Sequence, residues 1–512
     1  MSEILLATLN ARYIHTAFGL RCLHANMEEL QPRCSILEFD IKQRPADIAE
    51  ELLAFKPAII GLGIYIWNVV PCTEVVRLLK QLDPDVRIVL GGPEVSHETD
   101  GQEIVGLADH VIPGEADLAF AGLCRSLLTG TAPPKMVAAA MPDLAALASP
   151  YDFYRDEDIA HRVLYVESSR GCPFACEFCL SAVDLPVRAF PVDGFLMEMD
   201  KLLARGARQF KFLDRTFNLD LQAGAAILEF FLERWQPGMF LHFEMIPDRF
   251  PQDLRGLLAK FPPGALQLEV GIQTFNTEVS NNISRRQNIE RLEDNLRFLR
   301  QQTGVHVHAD LIAGLPGESP ESFADGFDRL WQLGPQEIQV GILKRLRGAP
   351  ITRHDREFAM VYAQHPPYEL LCNRDLDFVT LQQLKRFARH WDMLGNSGRF
   401  SQTLPILLDN PHHASAFWNF WDFSQRLHAR LGKQHGIAPA NLGEQLFLHL
   451  CEWGVDSAVL GEMLAADHLA SGGRGLPAYL PAPGKASDKR AKPRPQESAK
   501  NRRQQRHLDS GK

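Results

Sequence analysis

Cys172, Cys176 and Cys179 stand at i, i+4 and i+7 in the run Arg170-Gly171-Cys172-Pro173-Phe174-Ala175-Cys176-Glu177-Phe178-Cys179. Thiolates are the preferred ligands of iron–sulfur clusters. A cubane cluster has four irons, so three thiolates leave one iron open to an exogenous small molecule. That molecule can be chelated at the bare iron and reduced there by one electron. A structural zinc site needs four N/S ligands, commonly in Cys-x2-Cys pairs, and no His or Cys follows nearby to complete one.

The elements that must position this trio can be read on either side of it. The strand-like run Val163-Leu164-Tyr165-Val166-Glu167 precedes it, which puts the cysteines on a loop at a strand end. Val192 to Gly206 reads as a helix, and five strand-like segments follow. Gln209 to Leu213 runs into Asp214-Arg215, and Phe240 to Met245, which contains Glu244, leads into Pro247-Asp248. Ala265 to Val270 leads into Gly271-Ile272-Gln273-Thr274. Val305 to Ile312 runs into Ala313-Gly314-Leu315-Pro316-Gly317-Glu318, and Glu337 to Ile342 into Leu343-Lys344-Arg345. Helical stretches at 292–301 and 322–333 separate the later strands. Polar groups at strand C-termini are where parallel α/β barrels keep their chemistry. His306 and His308 alternate with apolar residues on one strand face and read as core histidines.

Strand and helix signals also alternate in the first 135 residues. Ile4 to Leu9 opens onto the polar loop Asn10-Ala11-Arg12-Tyr13-Ile14-His15-Thr16; helical stretches are expected at 19–29, 48–55 and 75–82. The strand Ala58 to Ile64 contains Gly61-Leu62-Gly63 and is followed by Tyr65. Arg87 to Leu90 runs into Gly91-Gly92-Pro93-Glu94, and His110 to Ile112 into Pro113-Gly114-Glu115. Such alternation argues a parallel sheet with a ligand at its carboxyl edge. A dinucleotide is disfavoured because no Gly-x-Gly-x-x-Gly follows the first strand.

The Cys-x3-Cys-x2-Cys pattern with Phe178 before the last cysteine resembles the signature of the radical S-adenosylmethionine (SAM) superfamily. The order of the later strand ends, with Gly-Ile-Gln followed by Gly-Leu-Pro-Gly, resembles its core. The glycine loops of the first 135 residues are similar to the cobalamin-binding domain that precedes many such cores. The resemblance implies an α/β protein with three parts: a Rossmann-like, doubly wound cobalamin-binding domain, a partial (βα)6 TIM-type radical SAM barrel, and a helical C-terminal domain like the uncharacterised extension of one subgroup. It implies a [4Fe–4S] cluster on Cys172, Cys176 and Cys179, with SAM on the open iron. Phe178, Arg215, Glu244, Gln273, Ile312 and Gly314 would stand on the SAM side. Tyr13, His15, Gly63, Tyr65, Gly91, Gly92, Pro93, Glu94 and Glu115 would stand on the cobalamin side. The chain departs from the Asp-x-His-x-x-Gly motif that ligates cobalt, having Tyr13 two places before His15 and Gly19 four after. His15 is therefore not taken as a cobalt ligand.

The implied activity is reductive cleavage of SAM to a 5′-deoxyadenosyl radical, serving methyl transfer to an unactivated carbon or phosphorus centre. A rearrangement, cyclisation or sulfur insertion would use the same radical without methyl transfer, and a non-catalytic Fe–S/cobalamin sensor would use neither. The expected partners are a small-molecule or other substrate and an external one-electron reductant such as flavodoxin or ferredoxin.

The expected domains are 1–135 (cobalamin), 136–159 (a Pro- and Ala-rich linker), 160–365 (radical core), 366–470 (helical) and 471–512 (a disordered basic tail). The formal charge is −9, yet residues 485–512 hold ten Lys/Arg against three Asp/Glu, a local +7 that leaves −16 elsewhere. That balance excludes a global nucleic-acid-binding surface and leaves only the tail for an acidic partner. The N-terminus lacks a secretory pattern and no run of about 18 apolar residues occurs, so a cytoplasmic, non-membrane location is expected. The other six cysteines are scattered as reduced thiols would be.

Overall fold

The computed structural model of the chain describes residues 3–183, 186–477, 479–480 and 501–509. It divides into two compact units: residues 1–244 with 344–353 and 362–369, and residues 245–343 with 354–361 and 370–512.

The first unit opens with β1 (Ile4–Asn10), α1 (Phe18–Ala25), β2 (Cys34–Asp40), α2 (Pro45–Ala54), β3 (Ile59–Gly63), α3 (Val69–Leu82), β4 (Arg87–Gly91), α4 (Glu103–Leu107), β5 (His110–Ile112) and α5 (Ala119–Leu128). The five strands form one parallel sheet in the order β2-β1-β3-β4-β5. All seven residues of β1 are buried, as expected of a strand covered on both faces. On one face Leu5, Leu9, Ile60 and Leu62 pack with Leu52 of α2 and Val76 and Leu79 of α3. On the other, Ile4, Leu6 and Ile59 pack with Leu20 of α1 and Phe120 and Leu123 of α5. The strand order reverses between β1 and β3, the switch point where open α/β sheets bind ligands beyond their carboxyl ends. α3 starts at Val69 rather than Val75; Pro71 falls in its first turn, where the missing N–H has no helical partner to lose.

The unit continues with α6 (Asp156–His161), β6 (Leu164–Val166), β7 (Ser169–Arg170), β8 (Arg188–Ala189), α7 (Val192–Ala204), β9 (Gln209–Phe212), α8 (Leu221–Glu233) and β10 (Phe240–Met245). β9 lies parallel between β6 and β10. β7 and β8 pair antiparallel, Ser169 with Ala189 and Arg170 with Arg188, and close the base of the loop that carries the cysteines. A buried quartet joins the five-stranded module to α6. Arg21 lies 2.8 Å from both Glu38 and Asp158, and Arg162 lies 2.8 Å from Glu38 and 2.9 Å from Asp158. Two guanidinium and two carboxylate groups balance, which is what makes ionic burial tolerable.

The second unit contains α9 (Gln252–Leu258), β11 (Leu266–Gln273), α10 (Thr277–Asn282), α11 (Ile289–Gln302), β12 (His306–Ala313), α12 (Pro320–Leu333) and β13 (Glu337–Ile342). The ribbons β14 (Val361–Tyr362) and β15 (Leu370–Cys372) follow. The helices α13 (Phe378–Leu394), α14 (Thr403–Leu408), α15 (Ala416–Leu431), α16 (Pro439–Glu452), α17 (Ser457–Ala470) and α18 (Asn501–Asp509) complete it. β12 lies parallel between β11 and β13. From β6 to β13 the alternation is that of a partial (βα)6 TIM-type barrel. The aromatic stripe of α15 is core: Phe417, Phe420 and Phe423 are buried, with Phe417 and Phe420 packed on Phe387 of α13. His306 is likewise a core group, its Nε2 3.0 Å from Glu337.

Two expectations fail here. Residues 366–470 were expected to be helical, but β15 intervenes and α13 begins at Phe378, where Asp377 caps the N–H of Thr380. The tail from 471 was expected to be disordered, yet residues 501–509 form α18. Arg503 of that helix pairs with Glu337 (2.9 Å) and Asp392 (2.8 Å). Arg506 donates to the Ser397 carbonyl (2.7 Å), and a ring nitrogen of His507 lies 3.1 Å from that of Asn396. Most of its anchors are polar, with Leu508 packed against Gly264, so no apolar period announced it. Residues 481–500 of the expected tail lie outside the described residues.

Candidate functional site

The cysteine loop follows β7. Cys172 and Cys176 are buried and Cys179 is half-buried, and the Cys179 N–H donates to the Cys176 carbonyl (3.0 Å). Burial pushes the Cys172 thiol up, and the charges of Cys179 and Cys176 push it further. Thiolates close enough to repel one another form a donor set that fits a cationic cluster. Phe178 is half-buried, and Glu177 beside it is paired with Arg353.

Asp214, buried beyond β9, holds the neck of this loop. It accepts from the Ser168 N–H (3.0 Å), the Ser168 hydroxyl (2.6 Å) and the Ser169 hydroxyl (2.7 Å). Arg170, on β7, lies 2.8 Å from Glu115, 2.9 Å from Asp117 and 2.7 Å from Glu167. Glu115 also pairs with Arg188. Burial pushes the Glu167 carboxyl up to about 7, opposed by Arg170 and reinforced by Asp117 and Asp214.

Beside this network a cavity of about 310 Å³ opens at the carboxyl edge of the five-stranded sheet, walled by Gly61, Gly63, Tyr65, Gly91, Gly92 and Glu115 among others. Gly92 has φ 105°, and a Cβ there would lie 2.5 Å from the Ile64 carbonyl oxygen, so no side chain fits. Asn68, fully buried, donates to the Thr8 hydroxyl (3.2 Å) and to the carbonyls of Leu9 (3.1 Å) and Gly63 (3.0 Å), fixing the rim. A concave, largely apolar cradle of glycines at the switch point fits a flat macrocycle.

Of the residues expected on the cobalamin side, the structure brings Gly63, Tyr65, Gly91, Gly92 and Glu115 to this wall. Four others are engaged elsewhere. Tyr13 donates to Glu157 (2.7 Å), and His15 meets the Tyr165 hydroxyl (2.8 Å) and bridges to Val163. Pro93 opens a short 3-10 turn. Glu94 is buried and accepts from the Tyr368 hydroxyl (2.5 Å) and from Arg347 (2.9 Å).

On the SAM side, Arg215 and Glu244 of the first unit face each other at 3.5 Å. In the second unit Gln273 ends β11 with φ 71°, at a register shift against β12. It is buried and its Oε1 has no partner among the described residues, the kind of orphan acceptor a ligand donor satisfies. Ile312 lies opposite Gly341 in the β12–β13 register, and the Gly314 carbonyl accepts from Asn373 (3.2 Å).

Sequence reasoning missed Glu318. It is buried, accepts from the Thr274 hydroxyl (2.6 Å) with one oxygen, and has no partner for the other among the described residues. Burial lifts its carboxyl from 4.5 to about 8, against the Thr274 bond. A carboxyl raised on folding keeps a proton that the unfolded chain gives up, so its contribution is present in acid and is lost as pH rises from 4.5 to about 8. Glu318→Gln is expected to flatten that decline; thermal melts across the same range read the slope, which would be unchanged if the carboxyl were ionised in the fold.

The B12 binding domain family model matches residues 4–124, the Radical SAM superfamily model residues 166–330, and a family described as a protein of unknown function (DUF4080) residues 356–509. The cobalamin-dependent radical SAM methyltransferase TokK of Streptomyces tokunonensis is 26% identical over 339 residues, covering 59% of this chain and 49% of that protein. The chain thus spans about half the length of the curated relatives it matches. The cobalamin-dependent SAM radical enzyme OxsB, solved with aqua-cobalamin, superposes with TM-score 0.61 at 13% identity over 91% of this chain and 79% of its own. The radical SAM methyltransferase TsrM of Kitasatospora setae superposes with TM-score 0.57 at 17% identity over 71% and 77%. These two likenesses speak for the fold. The chain therefore carries a B12-binding domain at residues 4–124, a radical SAM domain at 166–330 and the DUF4080 region at 356–509. Its cofactors are a [4Fe–4S] cluster, SAM and cobalamin. No helix among the described residues is long and apolar enough to cross a membrane.

Proposed function

We propose that the chain is a cobalamin-dependent radical SAM methyltransferase acting on an unactivated carbon or phosphorus centre of a small molecule. One observation carries the reading: the three thiols of one loop and a glycine-lined cavity occupy the same compact unit, and Arg170 ties the neck of the thiol loop to Glu115 of the cavity wall. When bound, the cluster supplies the electron that cleaves SAM, and cobalamin supplies the methyl group. Cys172, Cys176 and Cys179 hold the cluster, and Phe178 shields it. Gly63, Tyr65, Gly91 and Gly92 give the corrin an apolar floor that excludes water. Arg215 and Glu244 of the first unit would hold charged groups of SAM; of the second unit's residues, Gln273 would accept a hydrogen bond from it, and Ile312 and Gly314 would serve the adenine. Residues 1–135 form the cobalamin domain and 160–365 the radical core, and the work is done in the cytoplasm with a flavodoxin- or ferredoxin-type reductant. The relationship to TokK supports methyl transfer.

The test is anaerobic reconstitution with iron, sulfide, cobalamin and methyl-labelled SAM, read by mass spectrometry. Deoxyadenosine together with S-adenosylhomocysteine is the expected result. Deoxyadenosine alone would assign a non-methylating radical reaction, and neither product would sink the reading.

A further inference from the structure

After β13 the chain returns to the first unit as the ten-residue segment Lys344–Arg353. It runs beside residues 362–369: Lys344 bridges Glu369, and the Arg345 N–H donates to the Tyr368 carbonyl (3.0 Å). Three of its arginines reach carboxylates, and all three carboxylates stand in loops of the candidate site. Arg347 donates to Glu94 (2.9 Å), and the Tyr368 hydroxyl donates to the same oxygen (2.5 Å) while accepting from Arg347 (3.1 Å). Glu94 follows the glycine pair of the cavity wall by two residues and is 5% exposed. Arg345 donates to one oxygen of Glu98 (2.8 Å), and the Gly348 N–H donates to the other (3.2 Å). At the far end Arg353 pairs with Glu177, between Cys176 and Phe178.

Backbone packing reinforces these charges. Gly348 has φ 83°, and a Cβ there would lie 2.4 Å from the His97 ring, so the segment presses directly on the 92–98 loop. Both loops lie outside the sheets; the 92–98 loop is held from within the module by Gln102, whose Nε2 meets the carbonyls of Glu94, His97 and Glu98, and the strap adds the ion pairs on its carboxylates.

We propose that Lys344–Arg353 is a positioning strap that fixes the separation of the corrin and the cluster, with Arg347 and Tyr368 gripping Glu94 and Arg353 gripping Glu177. The inference rests on the cofactor assignment above but not on methyl transfer. Arg347 and Tyr368 are positioning residues: neither is among the residues lining the cavity, and they act through Glu94. Their purpose is geometric, because displacement by about 1 Å can cost a reaction about a hundredfold.

The test uses the full chain loaded with cluster and cobalamin, each reduced to its paramagnetic form, with pulsed EPR reading the cluster–cobalt separation. Wild type is expected to give one narrow distribution. Arg347→Ala and Gly348→Ala are expected to broaden it at least about twofold with iron and cobalt contents unchanged, and Arg347→Lys to recover part of the loss, since a point charge replaces the planar fork. Tyr368→Phe removes one hydroxyl and decides the matter should Arg347→Ala fold poorly. Distributions like that of wild type in Tyr368→Phe and Gly348→Ala, or a broad distribution in wild type itself, would overturn the strap. A wild-type protein that holds both cofactors and yields no S-adenosylhomocysteine would overturn methyl transfer alone.

Discussion

Cys176→Ala protein is expected to lose reductive SAM cleavage, falling by on the order of a thousandfold or more, because the step then has no electron source. Cys176 is the middle ligand of the trio and is buried, so its loss removes a thiolate that solvent cannot readily replace. The cost to the fold is small. Cysteine to alanine deletes one sulfur from a loop whose neck is held by Asp214 and by the β7–β8 pairing, not by the thiols. Loss of deoxyadenosine and of the cluster's visible absorption, with an unchanged far-ultraviolet dichroism spectrum, is the expected combination. Deoxyadenosine formation at wild-type rate would refute the cluster assignment.

Arg170→Ala is expected to act through the fold. The guanidinium stands among Glu115, Asp117 and Glu167, and breaking a buried pair by removing one partner costs about 3–5 kcal/mol because the remaining charges are stranded. A loss of that size lowers the melting temperature by roughly 10 °C in a unit of this size. The sign of the pH response follows. Without Arg170 the Glu167 carboxyl, already raised by burial, loses the charge that opposes the rise, so the variant is most stable in acid and weakens as pH rises through its folded value. Wild type, in which Arg170 opposes the rise of Glu167, should show a shallower slope. Equal slopes would mean that the carboxylates find another counter-charge.

What could be read from the sequence was what is local. The cysteine spacing, the glycines at the ends of β3 and β4, and the polar strand ends of the barrel follow from a few neighbouring residues and a period of two. The ion pairs could not be read in this way. Glu94 meets Tyr368 across 274 residues, and Arg170 meets Glu115 across 55, and no periodicity encodes such a meeting. Glu94 and Glu115 were expected to serve a ligand; their carboxylates also meet arginines, and Glu115 keeps its place on the cavity wall. Asp214 is a further case of the same kind: its place at a strand end suggested site chemistry, and its hydrogen bonds hold Ser168 and Ser169. The α18 helix escaped notice because its anchoring groups, Arg503, Arg506 and His507, have the composition of a solvated tail.

The quartet of Arg21, Glu38, Asp158 and Arg162 has an evolutionary consequence. Half of its charge belongs to the cobalamin module and half to the segment that leads into the barrel. Transplanting either half alone would keep its own ion pair and lose the two that cross the seam, Arg21 with Asp158 and Arg162 with Glu38. Recombination between such modules is therefore constrained to carry both halves together, and the seam that looks like a linker in the amino-acid string is the part of the molecule least free to be cut.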